Sequence, residues 1–220
     1  MEPTSRKYLF FDLDGTLTDS MPGIARAVQY ALRRFGIDVQ DLAALKPFLG
    51  PPLRDSFMEF YGMSPEEADR AVAVSREYFV PRGMFENELY PGIPELLAAT
   101  AAAGRGNVIA TSKPQPFAER IAAHFGIDRH FRLISGSTFD GRRKTKADVI
   151  RHALSALGIA PGEAVMIGDR RHDVEGAAEE GLPAIAVEWG YAPPGELEAA
   201  RPLRIVPDVE TLRRLLLGNE

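Results

Sequence analysis

The sequence predicts an α/β protein: a parallel β-sheet covered by helices on both faces, with a block of helices inserted after the first strand. Tyr8–Asp12 is a short, almost wholly apolar run that ends in polar residues and Gly15, the pattern of a buried strand. Met21 to Met84 holds no convincing strand and instead repeats apolar residues at helical spacing. After Pro91 strand-like and helix-like segments alternate, which calls for a parallel sheet with both faces buried.

Within the inserted block, Ile24, Ala27, Val28, Ala31, Leu32 and Phe35 form one apolar stripe, and Gly36 stops it. Asp55–Tyr61 and Pro65–Phe79 read as two further helices. Ser64 is placed to cap the second of these, with Pro65 at its first position and Glu67 closing a capping box. Beyond Pro91, helices are expected over Ile93–Ala103, Pro116–Phe125, Lys146–Leu157 and Asp173–Glu180. Strands are expected over Asn107–Thr111, Phe131–Ile134, Ala164–Ile167 and Pro183–Val187. Asp208 is placed to cap a last helix with Leu212, Leu215 and Leu216 on one side. The expected division is therefore a core of residues 1–17 and 91–220 and a helical insert of 18–90, with hinges near Leu17–Met21 and Met84–Pro91.

A chain of 220 residues can bury one sizeable core and a small second module. Its net charge of −5 argues against a nucleic-acid partner, since phosphate backbones attract basic faces. With no cysteine, the sequence excludes disulfides, thiolate zinc sites and a thiol nucleophile, and it fits a reducing cytoplasm. No apolar run is long enough to span a bilayer, and Met1–Lys7 is short and polar, unlike a signal peptide. The expected setting is cytoplasmic, without membrane association, as a monomer or homodimer.

The chemistry concentrates at strand ends. In Asp12-Leu13-Asp14-Gly15-Thr16, residues two apart on an extended chain point the same way, so Asp12 and Asp14 share one site at the carboxyl end of the first strand, where open α/β sheets bind ligands. One carboxylate can attack or bind metal while the other exchanges protons. An isolated Asp-x-Asp-Gly also serves as a plain turn. Here further elements follow in order. Thr111-Ser112-Lys113 ends a strand with hydroxyls able to bind phosphate oxygens. Lys144 and Lys146 flank the start of a helix, where a cation can neutralise a phosphoryl group. Gly168-Asp169-Arg170-Arg171-His172-Asp173 brings two more carboxylates to another strand end, an oxygen-donor set suited to magnesium, and Asp173 is also expected to cap the helix that follows.

Together these four elements resemble the haloacid dehalogenase superfamily, in its phosphatase branch with a small helical cap. The resemblance covers nearly the whole chain and implies a Rossmann-like core. It implies that Asp12 is the nucleophile and Asp14 the general acid/base, that Thr111 and a helix lysine bind the transferring phosphoryl group, and that Gly15, Ser112 and Lys113 line the phosphate subsite. Mg2+ would be held by Asp12, by Asp14 through its carbonyl and by Asp169, with Asp173 in support. Lys146 is favoured over Lys144, because relatives place the lysine two residues before the acidic residue of that helix. The loop Gly50-Pro51-Pro52-Leu53-Arg54 resembles the cap segment that meets the leaving group, with Arg54 as the cation that contacts it. The implied substrate is a small phosphorylated metabolite, phosphoglycolate first, with 5′-nucleotidase and phosphosugar mutase activities as the alternatives. A catalytically idle binding protein is the reading from another class, against which the complete residue set argues.

Overall fold

The computed structural model describes residues 6–218 of the chain, so that Met1–Ser5 of the polar lead-in lie outside them. Two compact units form: the chain up to Thr18 together with the chain from Leu89 onward, and Asp19–Glu88.

The first unit is built on a six-stranded sheet, all parallel. Its strands are β1 (Tyr8–Phe11), β4 (Gly106–Pro114), β5 (Phe131–Ser137), β6 (Ala164–Gly168), β7 (Ala184–Val187) and β8 (Arg204–Val206), in the spatial order β5-β4-β1-β6-β7-β8. This is the Rossmann-like parallel core the alternation predicts. β1 lies between β4 and β6, which explains its composition: Leu9, Phe10 and Phe11 are all fully buried, as a strand covered on both faces requires. Phe10, Val108, Ala110 and Met166 share one face of the sheet, packed with Val149, Ile150 and Ala153 of α6 (Lys146–Leu157) and Val174 and Ala177 of α7 (Arg171–Glu179). By the alternation of side chains, Leu9, Phe11, Ile109 and Ile167 point to the other face, and they are equally buried. The helices α4 (Ile93–Ala102) and α5 (Gln115–His124) pack against β4, and α9 (Val209–Leu217) packs against α4.

Register is what makes the site. Phe11 stands level with Ile109 of β4 and with Ile167 of β6. The residues just beyond these three, Asp12, Ala110–Thr111 and Gly168–Asp169, therefore emerge side by side at one edge. From β1 the order runs outward to β4 and β5 on one side and to β6 on the other, so this edge is also the topological switch point where α/β sheets bind ligands.

The second unit holds α1 (Met21–Arg34), α2 (Leu53–Tyr61) and α3 (Pro65–Phe79) around Ala25, Val28, Leu32, Phe57 and Ala71. The capping box at Ser64 forms as read, with the Glu67 N–H donating to Ser64 Oγ at 3.2 Å and the Ser64 N–H to Glu67 Oε2 at 2.9 Å. A 3₁₀ segment, Leu42–Phe48, was not legible in advance, and Asp41 caps it through the Ala43 N–H at 2.9 Å. Paired two-residue strands, β2 (Thr18–Asp19) and β3 (Glu88–Leu89), mark where the chain leaves and re-enters the first unit.

Two further differences concern the first unit. β8 was not anticipated, because it is three residues long, partly exposed and bracketed by Pro202 and Pro207. α7 begins at Arg171 rather than Asp173, so Asp173 is not the N-cap residue but sits in the first turn. Its carboxylate instead accepts the Arg170 N–H at 3.0 Å, which satisfies a donor the helix start would leave open. No helix among the described residues is long and apolar enough to cross a membrane.

Candidate active site

Asp12 follows the last residue of β1 and is tied to β6 by its N–H, which donates to the Ile167 carbonyl at 2.9 Å. Its Oδ1 accepts the Leu13 N–H at 2.8 Å and lies 2.9 Å from Lys146 Nζ. The same ammonium reaches Asp173 Oδ1 at 2.7 Å and donates to the Ala110 carbonyl at 3.1 Å. Lys146 can do this because Thr145 caps α6, its hydroxyl accepting the Asp148 N–H at 3.1 Å. That makes Lys146 the first helical residue and aims its side chain inward, leaving the lysine 6% exposed; Lys144, outside the helix, is in solvent. Of the two lysines weighed in the sequence, Lys146 is the one beside Asp12.

Asp169 is completely buried. Its Oδ1 accepts the Thr16 hydroxyl at 3.3 Å and its Oδ2 the Tyr191 N–H at 2.7 Å. Gly15 turns the chain past it with φ +82°, and a Cβ there would lie 2.2 Å from Asp169 Oδ2, so that both the turn and the close approach require glycine. Asp12, Asp169 and Asp173 each offer an oxygen within 4.8 Å of the others. Once all three carboxylates are ionised, the single ammonium of Lys146 leaves two negative charges for a cation to balance. Buried oxygen donors with that imbalance fit a hard divalent cation.

The proton affinities follow from the same geometry. Burial pushes Asp12 up to about 6; the adjacent ammonium of Lys146 opposes this and the Asp173 carboxylate adds to it. Burial, with Asp173 and Asp12 nearby, raises Asp169 well above the ordinary carboxylate range despite the Tyr191 N–H. For Lys146, burial disfavours the charge, but Asp12 and Asp173 outweigh it and hold the ammonium above its usual value.

Asp14 points elsewhere. Its Oδ2 is 2.7 Å from Lys113 Nζ, its Oδ1 is buried without a hydrogen-bond partner, and its carboxylate stands outside the three-carboxylate group. Lys113, read as a phosphate ligand, is thus held on Asp14, with its N–H donating to the Thr111 hydroxyl at 3.2 Å. Thr111 is buried, and its hydroxyl also hydrogen-bonds Asp12, lowering that carboxyl's proton affinity. Ser112 is half-buried beside it. Arg54 belongs to the second unit, where it pairs with Asp69 at 2.8 Å, both side chains largely exposed. Sequence reasoning assigned no function to Thr16, Trp189, Gly190 or Tyr191; Thr16, Gly190 and Tyr191 meet at Asp169, and Trp189 donates to the Thr16 carbonyl beside it.

Residues 9–187 match the haloacid dehalogenase-like hydrolase family. A 5′-nucleotidase of Pseudomonas aeruginosa is 48% identical over 208 residues, covering 94% of each chain. Tyrosine-protein kinase PtkA of Mycobacterium tuberculosis is 42% identical over 187 residues, 85% of this chain and 64% of that one. A phosphoglycolate phosphatase of Yersinia pestis is 32% identical over 190 residues, 82% of this chain and 80% of that one. Among solved structures, the crystal structure of a predicted phosphatase from Clostridium acetobutylicum matches with a TM-score of 0.93 at 46% identity, covering 97% of this chain and 99% of that one. The chain belongs to the haloacid dehalogenase-like hydrolases, and within them it is a phosphatase, a hydrolase of phosphoric monoesters.

Proposed function

We propose that the chain hydrolyses a small phosphate monoester by way of a phosphorylated Asp12, with Mg2+ as the cation. The observation that carries this is Asp12 buried at the end of the central strand, 2.9 Å from Lys146, with carboxylate oxygens of Asp169 and Asp173 within 4.8 Å of its own. Asp12 attacks phosphorus in line; the Asp12–phosphorus bond forms as the ester bond breaks, and Asp14 gives its proton to the departing alkoxide. Asp14 then takes a proton from water, whose oxygen bonds to phosphorus and releases Asp12. Thr111, Ser112, Lys113 and the Gly15 turn cradle the phosphoryl oxygens, and Lys146 neutralises them. Mg2+, held by Asp12, Asp169 and the Asp14 carbonyl with Asp173 in support, supplies charge neutralisation and orientation of the phosphoryl group. The helical unit serves as a cap, with Arg54 reading the leaving group. We place the reaction in the cytoplasm, in a monomer or homodimer.

Nucleoside 5′-monophosphates are the proposed substrate class, supported by the 48% identity to a 5′-nucleotidase. Phosphoglycolate, first in the sequence reading, becomes the second candidate, supported by the 32% relative. A magnesium-dependent screen over nucleoside monophosphates, phosphoglycolate, sugar phosphates and ATP with a tyrosyl peptide separates the readings. Free phosphate from a nucleoside monophosphate is the expected result. Isomerised sugar phosphate without free phosphate would mean a mutase, phosphotyrosine a kinase, and no turnover at all a binding protein. Repeating the screen with Arg54→Ala tests its role, which predicts a raised KM for some leaving groups and not others.

Magnesium is expected to stabilise the protein with a definite pH dependence. Without metal, Asp12 binds a proton more tightly in the folded chain, at about 6, than at the ordinary aspartate value of 3.8. Its contribution is thus fully present below 3.8 and lost as pH rises through 6, and Asp169 acts in the same direction. Mg2+ needs the ionised forms and competes with those protons. At pH 8, magnesium at about 100 times its Kd should add about 2.7 kcal/mol, or on the order of 5–10 °C in Tm. At pH 5 that gain should shrink, and melting curves with and without magnesium at both pH values measure it. A gain equal at pH 5 and pH 8 would contradict the assignment.

A further inference from the structure

The connection from β7 to α8 (Glu196–Ala200) crosses over Asp169 and is fastened at both ends to the segments that carry the other site residues. At its start, Trp189 Nε1–H donates to the Thr16 carbonyl at 3.1 Å. Gly190 then lies flat against Asp169: a Cβ there would sit 2.3 Å from Asp169 Cβ and 2.4 Å from Oδ2. The Tyr191 N–H donates to Asp169 Oδ2 at 2.7 Å. At its end, Glu196 Oε1 accepts from Arg170 Nε at 2.8 Å and from the Arg171 N–H at 3.0 Å, and Oε2 accepts from Arg170 Nη2 at 3.1 Å. The Arg170–Glu196 pair is itself largely buried, each side chain 11% exposed.

Gly15, whose Cβ would also collide with Asp169, and the Thr16 hydroxyl at 3.3 Å approach the same carboxylate from the turn after β1. The carboxylate is thus gripped between the turn after β1 and the strap after β7, and the Trp189–Thr16 bond ties the two jaws together. Both oxygens of Asp169 are engaged, and glycine backbone lies close against the side chain at Gly15 and at Gly190. Glu196 adds an electrostatic role. Arg170 lies in sequence between Asp169 and Asp173, and its guanidinium is a cation able to compete for those carboxylates; Glu196 draws it to the strap instead.

We propose that the segment Trp189–Glu196 is a positioning element for the divalent cation: by presetting Asp169 and sequestering Arg170 it raises the affinity for metal, touching neither metal nor substrate. This rests on the reading of Asp12, Asp169 and Asp173 as the metal site, and it assigns a function to residues that the reaction itself does not use. Outer partners of metal ligands commonly alter affinity by about 10–100-fold.

The test is calorimetric titration of the metal-free full chain with Mg2+, alongside the Mg2+ dependence of kcat. Gly190→Ala must displace Asp169 or the strap, so its Mg2+ half-saturation is expected to rise by about tenfold or more. Trp189→Phe keeps the ring and loses the bond to Thr16, and Glu196→Gln keeps the shape and loses the charge; each should weaken Mg2+ binding several-fold. Glu198→Gln, exposed on the same helix, should leave it unchanged. At saturating Mg2+, kcat and substrate KM should return close to those of the unaltered chain in all the variants, which a loss through misfolding would not do. Should Gly190→Ala fail to fold, the Trp189 and Glu196 variants decide. Folded variants that bind Mg2+ as tightly as the unaltered chain, or whose activity excess Mg2+ does not restore, overturn the strap's role and leave the metal site standing. An unaltered chain that takes up no Mg2+ overturns both.

Discussion

An Asp12→Asn chain should fold and bind substrate but turn over more slowly by about four orders of magnitude or more, the scale seen when a covalent nucleophile is removed. The amide cannot form the acyl phosphate, and no other carboxylate is placed to substitute. Asp14 is drawn to Lys113 at 2.7 Å, while Asp169 is held on both oxygens. The fold should not suffer. Burial and Asp173 disfavour ionised Asp12, so its loss removes a charge the metal-free interior tolerates poorly, although Lys146 loses one of two carboxylate partners. Single-turnover kinetics with acid quench should trap phosphate on the parent protein and none on the variant. Circular dichroism would establish that the variant is folded. Substantial residual turnover in a pure Asp12→Asn preparation would end the covalent mechanism proposed here.

Lys146→Met is expected to cost both activity and stability. Methionine nearly matches the lysine in length, so the change removes the charge with little loss of volume. With no ammonium to meet the developing phosphoryl charge, kcat should fall by about three orders of magnitude. Stability should also fall, because Asp12 and Asp173 then face each other in a buried site; breaking a buried pair costs about 3–5 kcal/mol. The sign of its pH dependence is diagnostic. Asp12, whose burial already raises its proton affinity, can protonate, so the deficit should be largest near pH 8 without metal and narrow toward pH 5, and saturating Mg2+ should recover part of it. Lys144→Met, exposed and outside the helix, should alter neither property. Thermal melts across this pH range and steady-state kinetics measure both effects. Equal damage from the Lys144 and Lys146 variants would mean that the charge acts through the whole basic run and not through one contact.

Much of this protein was readable from local pattern. The alternation of strands and helices implies a parallel sheet whose carboxyl edge binds ligands, and Asp12 stands at that edge; the period of two that would aim Asp14 into the same site did not hold, because Asp14 turns to Lys113. Capping at Ser64 and Asp208 followed from spacing alone, since a cap is made within four residues; Asp208 accepts the Thr211 N–H at 2.7 Å. Asp173 was misplaced as a cap for the complementary reason. The helix start shifted to Arg171, and the carboxylate that spacing offered as a cap became a first-turn residue committed to Lys146.

By itself, then, the sequence determined the fold class and which residue types gather at the sheet edge, because periodicity and strand-end motifs act over a few residues. Only the tertiary structure decided that Lys146 rather than Lys144 reaches Asp12, that Asp14 turns to Lys113, and that Trp189, Gly190, Tyr191 and Glu196 close over Asp169 and Arg170. Those contacts join residues from 21 to 173 positions apart. Their partners are chosen by strand register, by the phase of a capped helix and by the space glycine leaves, none of which any single segment encodes.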